Sequence, residues 1–158
     1  MTAKTSPSSS MRVVATNRRA RHDYHLLDTF EAGIVLHGSE VKSLRAGRCS
    51  LVDSYAQARG GELWLENMFI PPYERASAWR PHERRARKLL LHKDQIRRLI
   101  GATTRKGFTI IPTRVYFNDK NIAKVEIALA QGKKSHDKRE AIRERDLKRS
   151  GEREFRKR

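Results

Sequence analysis

The chain has 158 residues, 35 Lys/Arg against 18 Asp/Glu, a formal net charge of +17 and one cysteine, which fits a single domain with extensions. Cys49 cannot form an internal disulfide and no CxxC pair offers zinc ligands, so a disulfide-stapled or zinc-stapled scaffold is excluded. No apolar run approaches the roughly 20 residues that span a bilayer, and the opening "MTAKTSPSSSM" lacks the apolar stretch of a secretory signal; a soluble, cytoplasmic protein is expected.

In chain order, residues 1–11 read as a flexible Ser/Thr-rich leader, and ordered sequence is expected to begin near "NRRARHDY". An apolar stretch, "FEAGIVLHG", follows. "SEVKSLRAG" reads as a short helix: Ser39 suits an N-cap, Val41 and Leu44 share a face, Glu40 and Arg45 match the helix dipole, and Gly47 suits a stop. "SYAQARGGELWLENMFI" predicts a hairpin turning at Gly60-Gly61, ended by Pro71-Pro72. Residues 73–87 show no period and read as a loop. "KLLLHKDQIRRLIG" predicts a strand and then a helix with Ile96, Leu99 and Ile100 on one face and Gly101 as its stop. In "GFTIIPTRVYFNDKNIAKVEIALA", Val125, Ile127 and Leu129 alternate with Lys124, Glu126 and Ala128, and "NDKN" makes the turn. Pro112 donates no ladder hydrogen bond, so its strand lies at an edge or bulges there. These elements sum to a mainly β chain with short helices: a small antiparallel barrel, closed or partly closed, over residues 12–130.

The last segment, residues 131–158, holds 12 Lys/Arg and 6 Asp/Glu, so it carries +6 of the charge and the body the remaining +11. Its aliphatic and aromatic residues are Ala141, Ile142, Leu147 and Phe155. Such a tail cannot bury enough apolar surface to offset its ordering entropy. The spacings Glu140/Arg143, Glu144/Lys148 and Asp146/Arg149 suit pairing along a helix. The tail is therefore expected to be disordered when free and helical against a polyanion.

The body's charge gathers in three clusters. Arg18, Arg19 and Arg21 lie beside Asn17, His22 and Tyr24. Lys42, Arg45 and Arg48 form the second. Arg80, Arg84, Arg85, Arg87 and Lys88 lie beside Trp79. Arg binds phosphate bidentately and stacks on bases, while Tyr, Trp and His supply stacking faces. Nucleic acid is the leading partner and anionic lipid the runner-up, although no segment shows the coherent apolar face a membrane-surface helix needs.

Groupings for catalysis do not assemble. "GKKS" lacks the glycine of a phosphate loop five residues earlier, where Ile127 stands, and has Lys134 where Ser/Thr is required. "HGSEV" lacks the second glycine of a nucleophile elbow. The six histidines include no HExxH pair. Glu31, within an apolar stretch, could act as a general acid but has no evident carboxylate partner, which favours a structural or RNA-facing role. No enzyme activity, metal or cofactor is expected, and no membrane partner; a monomer is. A structural ribosomal protein and an RNA-processing enzyme remain the alternatives.

"NRRARHDY", "FEAGIVLHGSEVKSLRAG", "RKLLLHK" and "GKKSHDKR", in order from about Asn17 to Arg149, resemble the SmpB family, bacterial proteins that bind transfer-messenger RNA (SsrA RNA) in trans-translation. The pair "GSEVKSLRAG" and "GKK-x-x-DKR" is the most specific part of the match. The resemblance implies an OB-like barrel flanked by helices. It implies that the body grips the tRNA-like domain of the RNA and stands in for a missing anticodon arm. The complex then enters ribosomes stalled on truncated mRNA, with elongation factor Tu delivering the RNA. By the same resemblance, Glu31 matches a position needed for RNA binding. Asn17, Arg18, Arg19, Lys42, Arg45 and Lys88 fall in motifs that contact its backbone, and Leu90 supports binding through packing. His92 lies where some members have Asn. Gly132, Lys133 and Lys134 match the hinge and basic start of the tail. His136 is expected to stack on a small-subunit rRNA base, and Asp137, Lys138 and Arg139 to occupy the decoding centre. Arg143 and Arg145 are expected to follow into the empty mRNA channel. Further along, some members carry an aromatic residue where this chain has Leu147.

Overall fold

The computed structural model describes residues 11–75 and 79–155, with the side chains of Ser135 and of residues 153–155 outside that description. The elements are β1 (Arg12–Thr16), α1 (Arg18–Asp23), β2 (Tyr24–Ile34), α2 (Gly38–Arg45), β3 (Tyr55–Arg59), β4 (Glu62–Glu66), β5 (Arg87–Leu90), α3 (Lys93–Thr103), β6 (Phe108–Phe117), β7 (Ala123–Gly132) and α4 (Ser135–Phe155). The expected leader thus falls almost wholly outside the described residues. The expected antiparallel barrel is present: β6, β3, β4, β5, β2 and β7 pair in that order, and a β6–β7 pairing closes the ring. Closure satisfies edges that would otherwise stay unpaired.

Alternation along the strands builds the interior. Phe30 and Ala32 of β2, Leu63 and Leu65 of β4, Leu89 of β5, Ile110, Val115 and Phe117 of β6, and Val125, Ile127 and Leu129 of β7 meet in one core. Leu44 of α2 and Leu99 of α3 plug it, both fully buried, with Ile96 and Ile100 packed beside Leu99. A smaller cluster covers the outside of β6 and β7, where Ala20 of α1 packs on Ile111 and Ala130.

The turns follow from the residues that make them. Gly60 and Gly61 take φ of 58° and 75° between β3 and β4, the left-handed pair a two-residue hairpin requires. Asn118 Oδ1 accepts the amides of Lys120 and Ile122 at 3.1 and 2.9 Å, which closes the "NDKN" turn. The β6–β7 register shifts between Pro112 and Arg114, so the missing proline donor is absorbed by a bulge.

Three expectations are corrected. Helix α2 starts one residue before Ser39, and its N-cap is His37, whose backbone N–H donates to Glu40 Oε2 at 2.9 Å. Helix α3 runs through Gly101 to Thr103, because the buried Leu99 face carries it past a glycine with open space around it; the left-handed glycine is Gly107, with φ 88°. A described strand, β1, precedes Asn17 and pairs with β6, about a hundred residues away in sequence.

Candidate nucleic-acid interface

Asn17 links the first basic cluster to the barrel. Its Oδ1 accepts the Ala20 amide at 3.3 Å and caps α1. Its Nδ2 donates to the Pro112 carbonyl at 3.0 Å, and its backbone N–H to Thr113 O at 2.7 Å. The Asn17 amide is spent holding α1 on the β6 bulge, and the helix holds Arg18 and Arg19 outward, both exposed. Arg18 and Arg21 line a groove with Thr16, Arg114, Glu126 and, from α4, Arg145. Arg19 lines a second groove with Tyr24, Tyr55 and Thr109.

Glu31 lies across the sheet from this rim. Register places Arg114, Glu126 and Glu31 in one row over β6, β7 and β2. Phe30 and Ala32 beside Glu31, Val125 and Ile127 beside Glu126, and Val115 beside Arg114 face the core, so all three point outward. Glu126 is fully engaged: Thr113 Oγ1 donates to Oε1 at 2.7 Å, and Arg114 donates twice to Oε2, at 3.0 and 2.7 Å. The Tyr116 hydroxyl donates to Glu31 Oε2. Arg114 lies 5.4 Å from the Tyr116 ring centre. Burial foremost, and then the bond to Glu31, push the Tyr116 phenol well above its ordinary range. Tyr116, Arg114 and Thr113 were not among the residues expected from sequence. The alternation in "TRVYF" was the signal that could have placed Arg114 and Tyr116 on the outer face; Thr113 lies at the bulge, where alternation fails.

The other expected residues sit on different elements. Lys42 and Arg45 are exposed on α2, with Lys42 5.6 Å from the Tyr73 ring centre, and the Arg45 carbonyl accepts from Arg12. Lys88 on β5 is paired with Glu62 Oε1 at 2.6 Å, which offsets its charge. Leu90 is half exposed, over Gly33: a Cβ at Gly33 would sit 3.1 Å from Leu90 Cβ, so the glycine keeps this strand crossing close. His92 is the exposed N-cap of α3.

The third basic cluster is not one surface. Arg87 is fully buried and donates to Glu40 Oε1 at 2.9 and 2.8 Å and to Met68 O at 2.6 Å. Arg85 donates to both Glu40 oxygens, at 3.0 and 2.6 Å. Burial acts to raise the Glu40 pKa, but the hydrogen bonds from Arg85, the His37 amide and Arg87 outweigh it, and the carboxyl is held below its usual range. Arg84 bonds both oxygens of Asn67 and lies 5.1 Å from the Phe69 ring centre. Arg85 and Arg87 hold the loop before β5 onto α2 through Glu40, which removes both from the expected RNA-facing set. Cys49 nearby is half-buried, and burial pushes its thiol up to about 11.

The tail leaves the barrel at Gly132, the last residue of β7, whose amide bonds Gly107 O at 3.3 Å. Lys133 Nζ donates to Arg21 O at 3.0 Å, and its amide to Asp23 O at 2.9 Å. The Lys134 amide donates to Asp137 Oδ2 at 3.3 Å, and His136 contacts Asp137 at 3.1 Å and Glu140 at 3.2 Å. Asp137 also lies 3.5 Å from His25 Nε2, and Lys138 Nζ lies 3.7 Å from Asp23. The hydrogen bonds from His136 and then His25 hold the Asp137 carboxyl below its usual range; His22, chiefly by its hydrogen bond, does the same for Asp23. Arg139, Arg143 and Arg145 are exposed. The pairs Glu140/Arg143, Glu144/Lys148 and Asp146/Arg149 form no ion pair among the described residues, where His136–Glu140 is the i, i+4 contact. Long exposed side chains gain too little from such pairs to be fixed by them.

Among the described residues, no group of three or more His, Cys, Asp or Glu side chains is placed to hold a metal ion, and no helix is long and apolar enough to cross a membrane.

Known proteins are similar to this chain in sequence, and a solved chain is similar in fold. SsrA-binding protein from Salinispora tropica is 59% identical over 139 residues, covering 87% of this chain and 86% of its own. SsrA-binding protein from Acidothermus cellulolyticus is 56% identical over 142 residues, covering 89% and 88%. That of Desulforamulus reducens is 48% identical over 158 residues, covering 100% of this chain and 98% of its own. A chain in the solved structure "tmRNA-SmpB: a journey to the center of the bacterial ribosome" superposes with a TM-score of 0.67 at 52% identity, covering 82% of this chain and 94% of that one. The SmpB protein family profile matches residues 14–157, and with these relatives it shows that the chain belongs to the SmpB family.

Proposed function

We propose that this protein binds the tRNA-like domain of transfer-messenger RNA and with it rescues ribosomes stalled on truncated mRNA. The observation that carries the reading is the likeness to the tmRNA–SmpB chain over 82% of this chain, beside a family match that runs from residue 14 to residue 157. The geometry supports it. A barrel rimmed by exposed arginines of α1 suits a folded RNA recognised by shape and phosphate position. A cationic helix, α4, leaves that barrel from its last strand, which suits a second, separate polyanion.

In this reading Asn17 acts by presenting Arg18 and Arg19, which meet phosphates together with Lys42 and Arg45. Glu31 contacts the RNA, and Leu90 and His92 support the same surface. Lys88 contributes once it parts from Glu62. Gly132, Lys133 and Lys134 form the hinge. His136, Asp137, Lys138 and Arg139 enter the decoding centre, with Arg143 and Arg145 in the vacant mRNA channel. The tail is disordered off the ribosome and becomes helical on it. A channel filled with mRNA leaves the tail no room, which restricts rescue to stalled ribosomes. The protein performs recognition rather than chemistry, works as a monomer in the cytoplasm, and meets elongation factor Tu through the RNA.

The test is to purify the tagged full-length protein from its own host, wash at high salt, and sequence the RNA that remains. One dominant RNA with tRNA-like ends and a short open reading frame is the expected outcome. A broad spread of rRNA fragments would favour a structural ribosomal protein instead.

A further inference from the structure

Glu31 stands in the outer row with Glu126 and Arg114, and those two line the groove that Arg18, Arg21 and Arg145 share. A carboxylate accepts hydrogen bonds and donates none, and its charge repels phosphate. Whatever RNA group meets Glu31 must bring an N–H or O–H.

The two glutamates of the outer row differ in what they have left to offer. Glu126 has three donors on its two oxygens. Glu31 has Tyr116 on Oε2 and, among the described residues, no donor on Oε1. Tyr116 is 2% exposed, so its ring is fixed by the sheet and the side chain exposed to solvent is Glu31. We infer that Tyr116 is a positioning residue: it holds Glu31 so that the carboxylate oxygen Oε1 accepts a hydrogen bond from an unpaired nucleotide of the RNA, either a base exocyclic amine or a ribose 2′-hydroxyl. This rests on the RNA-binding reading above. It assigns Tyr116 a part in recognition without contact to the RNA, and it makes Oε1, which has no donor among the described residues, the oxygen turned to the RNA.

The experiment measures the affinity of full-length protein for the transcribed tRNA-like domain at several salt concentrations. It compares wild type, Tyr116→Phe, Glu31→Gln and the double variant, with thermal melts as folding controls. Loss of one positioned hydrogen bond predicts that Tyr116→Phe weakens binding about fivefold. Glu31→Gln weakens it at least as much, and the double variant no further than Glu31→Gln. The slope of log affinity against log salt stays unchanged, since no phosphate contact is lost. Single nucleotides are then replaced by analogues lacking the exocyclic amine or the 2′-hydroxyl. At one position a replacement weakens wild type but not Glu31→Gln, and which analogue does so identifies the donor. If Tyr116→Phe melts early, Glu31→Asp keeps the charge, shortens the reach to Tyr116, and is expected to weaken binding in the same way.

Wild-type affinity in Tyr116→Phe, full additivity with Glu31→Gln, or analogue effects that persist in Glu31→Gln would overturn the positioning role alone. A wild-type protein with no preference for this RNA would overturn the parent reading as well.

Discussion

Glu40 and Glu31 are both glutamates in a strongly cationic chain, and their surroundings set them to opposite uses. Glu40 is 3% exposed and spends its oxygens on Arg85, Arg87 and the His37 amide. Removing it leaves Arg87 buried without a counter-charge, so Glu40→Ala is expected to lower stability by about 3–5 kcal/mol in urea unfolding. Because the folded carboxyl titrates below its usual range, the pair's contribution is present above the ordinary glutamate range and lost as pH falls through the lowered value. Wild type should therefore lose stability in acid, and Glu40→Gln should lack that component; equal acid sensitivity in the two would contradict the assignment. The sequence placed Glu40 correctly in the first turn of its helix but could not show its partners, which lie 45 and 47 residues downstream. The same blindness put Arg85 and Arg87 among RNA-facing residues: local charge density does not reveal which arginine the fold has buried.

Among the elements, those defined by their own residues were legible. The Gly60-Gly61 hairpin, the "NDKN" turn, the Pro112 irregularity and the alternation in β7 each follow from local stereochemistry. Strand β1 and the docking of α1 depend on β6, so no local pattern announces them. Helix α4 is the opposite case, a helix with almost no apolar face. Its first turn is held by surface contacts such as His25–Asp137 and Lys138–Asp23, and exposed pairs of this kind contribute at most about 1 kcal/mol each. A peptide of residues 131–158 should accordingly show little helicity by circular dichroism in buffer and gain it with a polyanion. Strong helicity in buffer would show that the segment orders itself without a partner.

Taken as a whole, the molecule separates two tasks along the chain. The barrel and α1 offer a fixed cationic surface, closed by the β6–β7 pairing and capped by buried Leu44 and Leu99. The tail offers a second charged element joined through Gly132, Lys133 and Lys134. If the body binds the RNA and the tail reads the empty mRNA channel, damage to one should spare the other. The most direct measurement replaces Asp137, Lys138 and Arg139 together by alanine and follows two readouts on the same preparation: affinity for transfer-messenger RNA, and tagging of nascent chains on ribosomes stalled by truncated mRNA. The account predicts affinity within about twofold of wild type, the spread of a surface change remote from the contact, with tagging abolished. Parallel loss of both would contradict the division between body and tail.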